Sequence, residues 1–169
     1  PQWYNKYNGS VLSTTIDKHI YITCRHLPNF FEHKFRIIWS KLEQVKNIDQ
    51  IQHKAVRMLL NELRVKQGLE IHYDGDLPAR SGMGSSSCFV VGLSKVLLNL
   101  LKIKKNKKQL TDFTINFEHN ILKEIVGSQD QTATIYGGFN RINFKKNKIH
   151  VKKIKNNKNL KKLNKNLML

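Results

Sequence analysis

The sequence predicts one domain in which strands and helices are mixed around a glycine- and serine-rich loop, and three observations carry that expectation. Leu69-Glu-Ile-His-Tyr73 has the two-residue alternation of a strand. It leads into Asp76-Leu-Pro-Ala-Arg-Ser-Gly-Met-Gly-Ser-Ser-Ser-Cys88. The run from Phe89 to Leu101 that follows is apolar nearly all round, so it reads as a helix lying in the middle of the domain. At 169 residues, 40% of them hydrophobic, the chain fits one domain with a real core.

In order, Val11–Ile16 and Ile20–Cys24 are rich in β-branched residues and flank the polar break Asp17-Lys18-His19. They read as a strand pair, with Ile20, Ile22 and Cys24 on one face. Lys34–Trp39 alternates so that Phe35, Ile37 and Trp39 fall together. A helix is expected over about Ile51–Val65, then the strand 69–73 and a turn at Asp74-Gly75. Gly92 marks either a close helix–sheet contact or merely a tolerated small residue.

A second helix is expected over Gln109–Ile125, starting near Thr111. On its wheel Glu118 sits near the centre of the apolar arc, between Ile115, Leu122 and Val126 on one side and Leu110, Phe117, Ile121 and Ile125 on the other. Asn116, Asn120 and Lys123 share the opposite face. A carboxylate sent inward needs a cation or strong donors. A structural ion pair would serve; Mg²⁺, which takes one or two carboxylates plus phosphate oxygens, explains it better. Asp130 lies in a polar turn between glycines, suited to a positioned base, although an Asx-turn residue looks the same in isolation. Arg141–Phe144 and Lys148–Val151 form a hairpin.

In the loop, Gly82 and Gly84 permit backbone angles and close approaches that a side chain would block. The serines open a helix whose first free N–H groups form an anion site. No lysine follows Gly84, so this is not a Walker A loop; Ser87 spoils the dinucleotide fingerprint, and Cys88 spoils a nucleophile elbow. A capped turn before a buried helix remains the bland alternative.

Pro78-Ala-Arg-Ser-Gly-Met-Gly-Ser-Ser-Ser87 resembles the second motif of the GHMP kinases, usually written P-x-x-x-G-L-G-S-S-A, with Met83 for leucine and Ser87 for alanine. The resemblance implies a loop around the ATP phosphates, made here by Pro78, Arg80, Ser81, Gly82, Met83, Gly84, Ser85, Ser86 and Ser87. It implies that Ser86 and Glu118 hold Mg²⁺. Gly127-Ser-Gln-Asp-Gln-Thr-Ala-Thr-Ile-Tyr-Gly-Gly138 is similar to the family's element around its catalytic aspartate, which would make Asp130 that residue. The fold implied is α/β (α+β), a mixed sheet packed on helices, with a left-handed βαβ crossover at the ATP loop against the usual handedness.

Positions 1 to about 144 resemble the D-glycero-D-manno-heptose 7-phosphate kinases in particular, through Val11–Lys18, Gly68–Arg80 and Gly127–Arg141. The implied reaction is phosphorylation of the anomeric hydroxyl by ATP to the 1,7-bisphosphate, with fucokinase- or galactokinase-like specificity close behind. The family's glycine-rich substrate motif would precede Pro1 and its C-terminal domain would follow Leu169. The chain is therefore expected to be most of an N-terminal half, inactive or merely nucleotide-binding if those parts are truly missing.

A formal net charge of +18 raises nucleic-acid binding as a rival. Much of it sits in Lys102–Lys108 and Lys145–Lys165, mixtures of Lys, Asn, Ile and Leu without the aromatic interleaving that stacks bases, which favours solvated surface. No apolar run is long enough to span a membrane. Two cysteines make neither a disulfide framework nor a four-thiolate zinc site, the first residues lack the apolar core of a secretory signal, and a reducing cytoplasm is expected. The seven histidines form no metal pattern, and oligomeric state is left open.

Overall fold

The computed structural model describes residues 6–78, 81–145, 148–155, 162–163 and 165–166. In chain order they form β1 (Gly9–Thr14), β2 (Ile20–His26), β3 (Phe35–Ile38), β4 (Leu42–Val45), α1 (Lys54–Glu62), β5 (Leu69–Gly75) and α2 (Ser85–Leu100). There follow α3 (Lys107–Asn116), a π-helical turn over Phe117–Ile121, α4 (Gln129–Tyr136), β6 (Phe139–Lys145) and β7 (Lys148–Lys153). The mixed α/β class is as expected. Residues 146–147, 156–161 and 164 of the lysine-rich tail, and Arg80 of the loop, lie outside the described residues.

The strands make two sheets, a three-stranded antiparallel one in the order β1-β6-β7 and a four-stranded mixed one in the order β2-β5-β3-β4. β3 and β5 run parallel; the other pairs are antiparallel. The expected β1–β2 pairing does not occur. β1 pairs with β6, Val11 facing Ile142, and β2 pairs with β5, Cys24 facing Ile71. The polar break between them is a crossing from one sheet to the other, held where Asp76 Oδ2 accepts the His19 N–H at 2.8 Å and the Asp76 N–H donates to the His19 carbonyl at 2.9 Å. That tie also carries β5 straight through Asp74-Gly75, where a turn was expected; Asp74 lies opposite Tyr21 in the ladder. The 141–151 hairpin is present as β6–β7.

The core forms between the four-stranded sheet and the helices. Phe35 and Ile37 on β3, Leu69 and Ile71 on β5, Leu59 and Leu60 on α1, and Leu93 and Leu97 on α2 are all buried. Each such apolar side chain contributes roughly 1.5–3 kcal/mol by leaving water. α1 is shorter than its apolar pattern because His53, as N-cap, accepts the Val56 N–H. Beyond its first turn, α2 is exposed only at Lys95 and Asn99. Of the two readings open for Gly92 the close contact is the one observed: a Cβ there would stand 2.9 Å from Ile22 Cδ1.

The second helix departs from its expected span at both ends. It starts earlier because Asn106 and Gln109 form a reciprocal capping box, each side chain accepting the other's N–H at 2.9 Å. Thr111 does not cap; its hydroxyl donates to the Lys107 carbonyl. At the far end α3 widens into the π-helical turn, the Leu122 N–H reaching the Phe117 carbonyl at 2.8 Å. The extra residue per turn sets Phe117 and Glu118 inward together, both 0% exposed. Ile125, expected on the apolar arc, is 98% exposed, because no helix continues to carry it round. Asn116, Asn120 and Lys123 are exposed as expected.

Candidate active site

Four segments meet at the N-terminal end of α2. β5 delivers the chain past Asp76 into the loop, whose Gly84 has φ of 74° and serves as the N-cap of α2. An L side chain is strained at that angle, and this N-cap has no side chain to accept from the first turn, so among the described residues those N–H groups have no cap. Asp130 sits in the first turn of α4 rather than in an irregular turn, where a carboxylate suits the positive end of the helix dipole. It is packed onto Gly84: a Cβ on residue 84 would come within 3.2 Å of Asp130 Cγ and 3.3 Å of Oδ2. Thr134 fastens the two helices, donating to the Asp130 carbonyl at 2.8 Å while its Oγ1 meets Cys88 Sγ at 3.0 Å.

These groups line a cleft of about 210 Å³. Its lining includes Met83, Gly84, Ser85 and Cys88 of the loop and α2, Asp130 and Thr134 of α4, and Thr14, Thr15, Lys18 and His19 between the two sheets. Thr15 ties this lining to the β6 end, its Oγ1 accepting the Gly138 N–H at 2.8 Å. The lining thus combines the first turn of α2 with one lysine, Lys18.

Glu118 stands apart from this lining, buried behind the first turn of α2. Its Oε2 accepts from Ser87 Oγ at 3.2 Å and from Gln131 Nε2, while Oε1 has no hydrogen-bond partner among the described residues. Burial pushes its carboxyl up from the ordinary 4.5 to about 7; the Ser87 hydrogen bond opposes this, and the charges of Glu124 and Asp130 add to it. The serine in contact with Glu118 is Ser87, not Ser86, which is exposed one residue earlier in the same turn. Ser81 and Ser85 line the cleft with Asp130, whereas Pro78 and Gly82 are exposed outside that lining.

Gln131, Cys88 and Thr134 were not singled out as site residues by sequence reasoning. The only signal for Gln131 was its adjacency to Asp130, and for Thr134 its place one helical turn later. Lys18 and His19 looked like a polar linker until the two sheets placed them on the cleft wall. Among the described residues, no group of three or more His, Cys, Asp or Glu is placed to hold a metal ion, and no helix is long and apolar enough to cross a membrane.

Residues 50–138, just over half of the chain, match the GHMP kinases N terminal domain. The chain belongs to the GHMP kinase family, whose members use ATP. Over 153 residues it is 26% identical to the D-glycero-alpha-D-manno-heptose 7-phosphate kinase of Campylobacter jejuni, covering 85% of this chain and 45% of that protein. A shorter stretch of 72 residues is 32% identical to a Candida albicans galactokinase, over 42% of this chain and 14% of that one. In fold, the chain matches a D-glycero-D-manno-heptose 1-phosphate kinase from Bacteroides thetaiotaomicron with a TM-score of 0.78 at 23% identity, over 90% of this chain and 53% of the other. The chain thus spans about half the length of these heptose phosphate kinases.

Proposed function

We infer that this chain is the ATP-binding half of a sugar kinase that phosphorylates the anomeric hydroxyl of D-glycero-D-manno-heptose 7-phosphate, giving the 1,7-bisphosphate. The observation that carries the reading is the packing of Asp130 against Gly84, an acid beside a helix N-terminus of the kind that suits phosphate. The heptose assignment is supported by the C. jejuni relative. The substrate motif and a second domain would be supplied by segments flanking this one, and the protein would work in the cytoplasm.

The loop and the free N–H groups of α2 hold the triphosphate in line with the acceptor. Asp130 orients the anomeric hydroxyl and takes its proton as that oxygen bonds to the γ-phosphorus and the bond to the β-phosphate oxygen breaks, releasing ADP. Ser86 and Glu118 are the residues that would hold Mg²⁺, and the bare, buried Oε1 of Glu118 and the all-oxygen donor set fit that ion. When bound, Mg²⁺ supplies charge neutralisation on the phosphates. Rate enhancement comes mainly from positioning and fixed charge.

The test is thermal unfolding of the chain with ATP and Mg²⁺, together with ADP release on heptose 7-phosphate, galactose and fucose by a protein that includes the flanking segments. ATP-dependent stabilisation is expected in the wild type and in Asp130→Asn, with turnover cut roughly 10²-fold or more in the variant. Unchanged turnover would remove Asp130 from its role. Salt-sensitive RNA binding without any response to nucleotide would replace the kinase reading altogether. A galactokinase-like specificity is the second reading, favoured by the local 32% identity, and turnover on galactose alone would select it.

A further inference from the structure

Among the described residues, Glu43 and Glu118 are buried carboxylates, and they are treated differently. Glu43, 6% exposed, has both oxygens met: Oε1 accepts from Trp39 Nε1 at 3.0 Å and from the His53 N–H at 3.2 Å, and Oε2 accepts the Gln52 N–H. Nothing is left over for a ligand. Glu118, 0% exposed, has both its described donors on one oxygen, Oε2, and none on the other. Gln131, also 0% exposed, donates through Nε2 and leaves its own Oε1 without a partner among the described residues. A buried acceptor without a donor is costly, more so when charged, so two adjacent ones mark a place completed by something else.

Both donors come from the elements that build the cleft. Ser87 is the third residue of α2, and Gln131 follows Asp130 in α4. Ser87 also occupies the position where the family pattern has alanine, so its hydroxyl is an addition that the fold does not require.

We propose that Ser87 and Gln131 are positioning residues for a divalent-cation site: together they hold Oε2 of Glu118, so that Oε1 is the oxygen presented to the cation. Because Gln131 adjoins Asp130 on one helical turn, the clamp also fixes the cation ligand relative to the proposed base. This inference rests on the reading of Glu118 as a cation ligand. Partners of this kind orient a ligand and set its basicity, and their loss typically costs 10–100-fold in metal affinity.

The experiment is Mn²⁺ binding to the chain with a non-hydrolysable ATP analogue, read by electron paramagnetic resonance. Metal-free thermal unfolding of every variant accompanies it. Gln131→Leu is expected to weaken Mn²⁺ binding about 10–100-fold. Ser87→Ala, which restores the family's residue and keeps the fold, is expected to weaken it several-fold, and Ser87→Thr to recover it. In a Glu118→Ala background, Gln131→Leu is expected to change nothing further, since the clamp then has nothing to hold. Wild-type affinity in both Gln131→Leu and Ser87→Ala, or a full additional loss in the Glu118→Ala background, overturns the clamp alone. Wild-type Mn²⁺ affinity in Glu118→Ala itself overturns the cation reading and the clamp with it.

Discussion

Gly84 and Asp130 touch where a side chain on the glycine would strike the carboxyl group, 3.2 Å from Cγ. The contact joins the start of α2 to the start of α4, so one missing Cβ lets the N-terminus of α2 and an acid pack together.

Gly84→Ala should therefore fail twice. The alanine would sit at φ near 74° and its methyl would displace Asp130. Strain of this kind costs of order 1–3 kcal/mol. For a chain of this size each kcal/mol lowers Tm by roughly 2–4 °C. ATP-dependent stabilisation should fall as well. A variant with wild-type Tm and an unaltered ATP response would show that the contact is incidental.

Glu118 sets a pH dependence with a definite sign. Its carboxyl is raised in the folded state from 4.5 to about 7, so the folded protein holds the proton more tightly than the unfolded chain. The stability this confers is complete below about pH 4.5 and is lost as pH rises through 7. Without divalent metal, the wild type should lose on the order of 3 kcal/mol across that window relative to Glu118→Gln. Parallel unfolding curves for the two proteins in EDTA would refute it.

Thr134→Val keeps the shape of the side chain and deletes the hydroxyl that reaches both the Asp130 carbonyl and Cys88 Sγ. A loss of about 1 kcal/mol is expected by chemical denaturation. Hydrogen exchange at the α4 amides should accelerate more than at those of α1, which shares no bond with Thr134. Equal acceleration in both helices would argue that Thr134 is not a local fastener.

Asn106→Ala removes one half of the capping box that starts α3. The expected cost is about 0.5–2 kcal/mol. The Asn106→Asp variant should keep most of the wild-type stability, because a carboxylate accepts the same N–H. Calorimetry on the two variants checks both statements, and an alanine variant as stable as wild type would mean that the box contributes nothing.

Much of this was legible in the residues. Alternation in 34–39 and 69–73 marked β3 and β5, and the apolar run after the loop marked the buried α2. The wheel placed Glu118 inward, where it is, even though the helix that argument assumed breaks into a π-helical turn. The same wheel misplaced Ile125, since a regular period predicts nothing once the turn widens. The capping box is legible in Asn106 and Gln109, three residues apart, whereas Thr111 lies a turn too far along to cap the helix.

What the sequence determined by itself was local: which segments are strands or helices, which face of each is apolar, and where the backbone needs glycine. These follow from side-chain direction along the chain, which repeats every two or 3.6 residues. The tertiary structure alone decided that β1 leaves β2 for β6, that Lys18 and His19 line one cleft with Asp130, and that Ser87 rather than Ser86 reaches Glu118. Those facts depend on residues far apart in the chain meeting under packing and hydrogen-bond constraints, and no periodicity within a segment records which distant partner satisfies a given group.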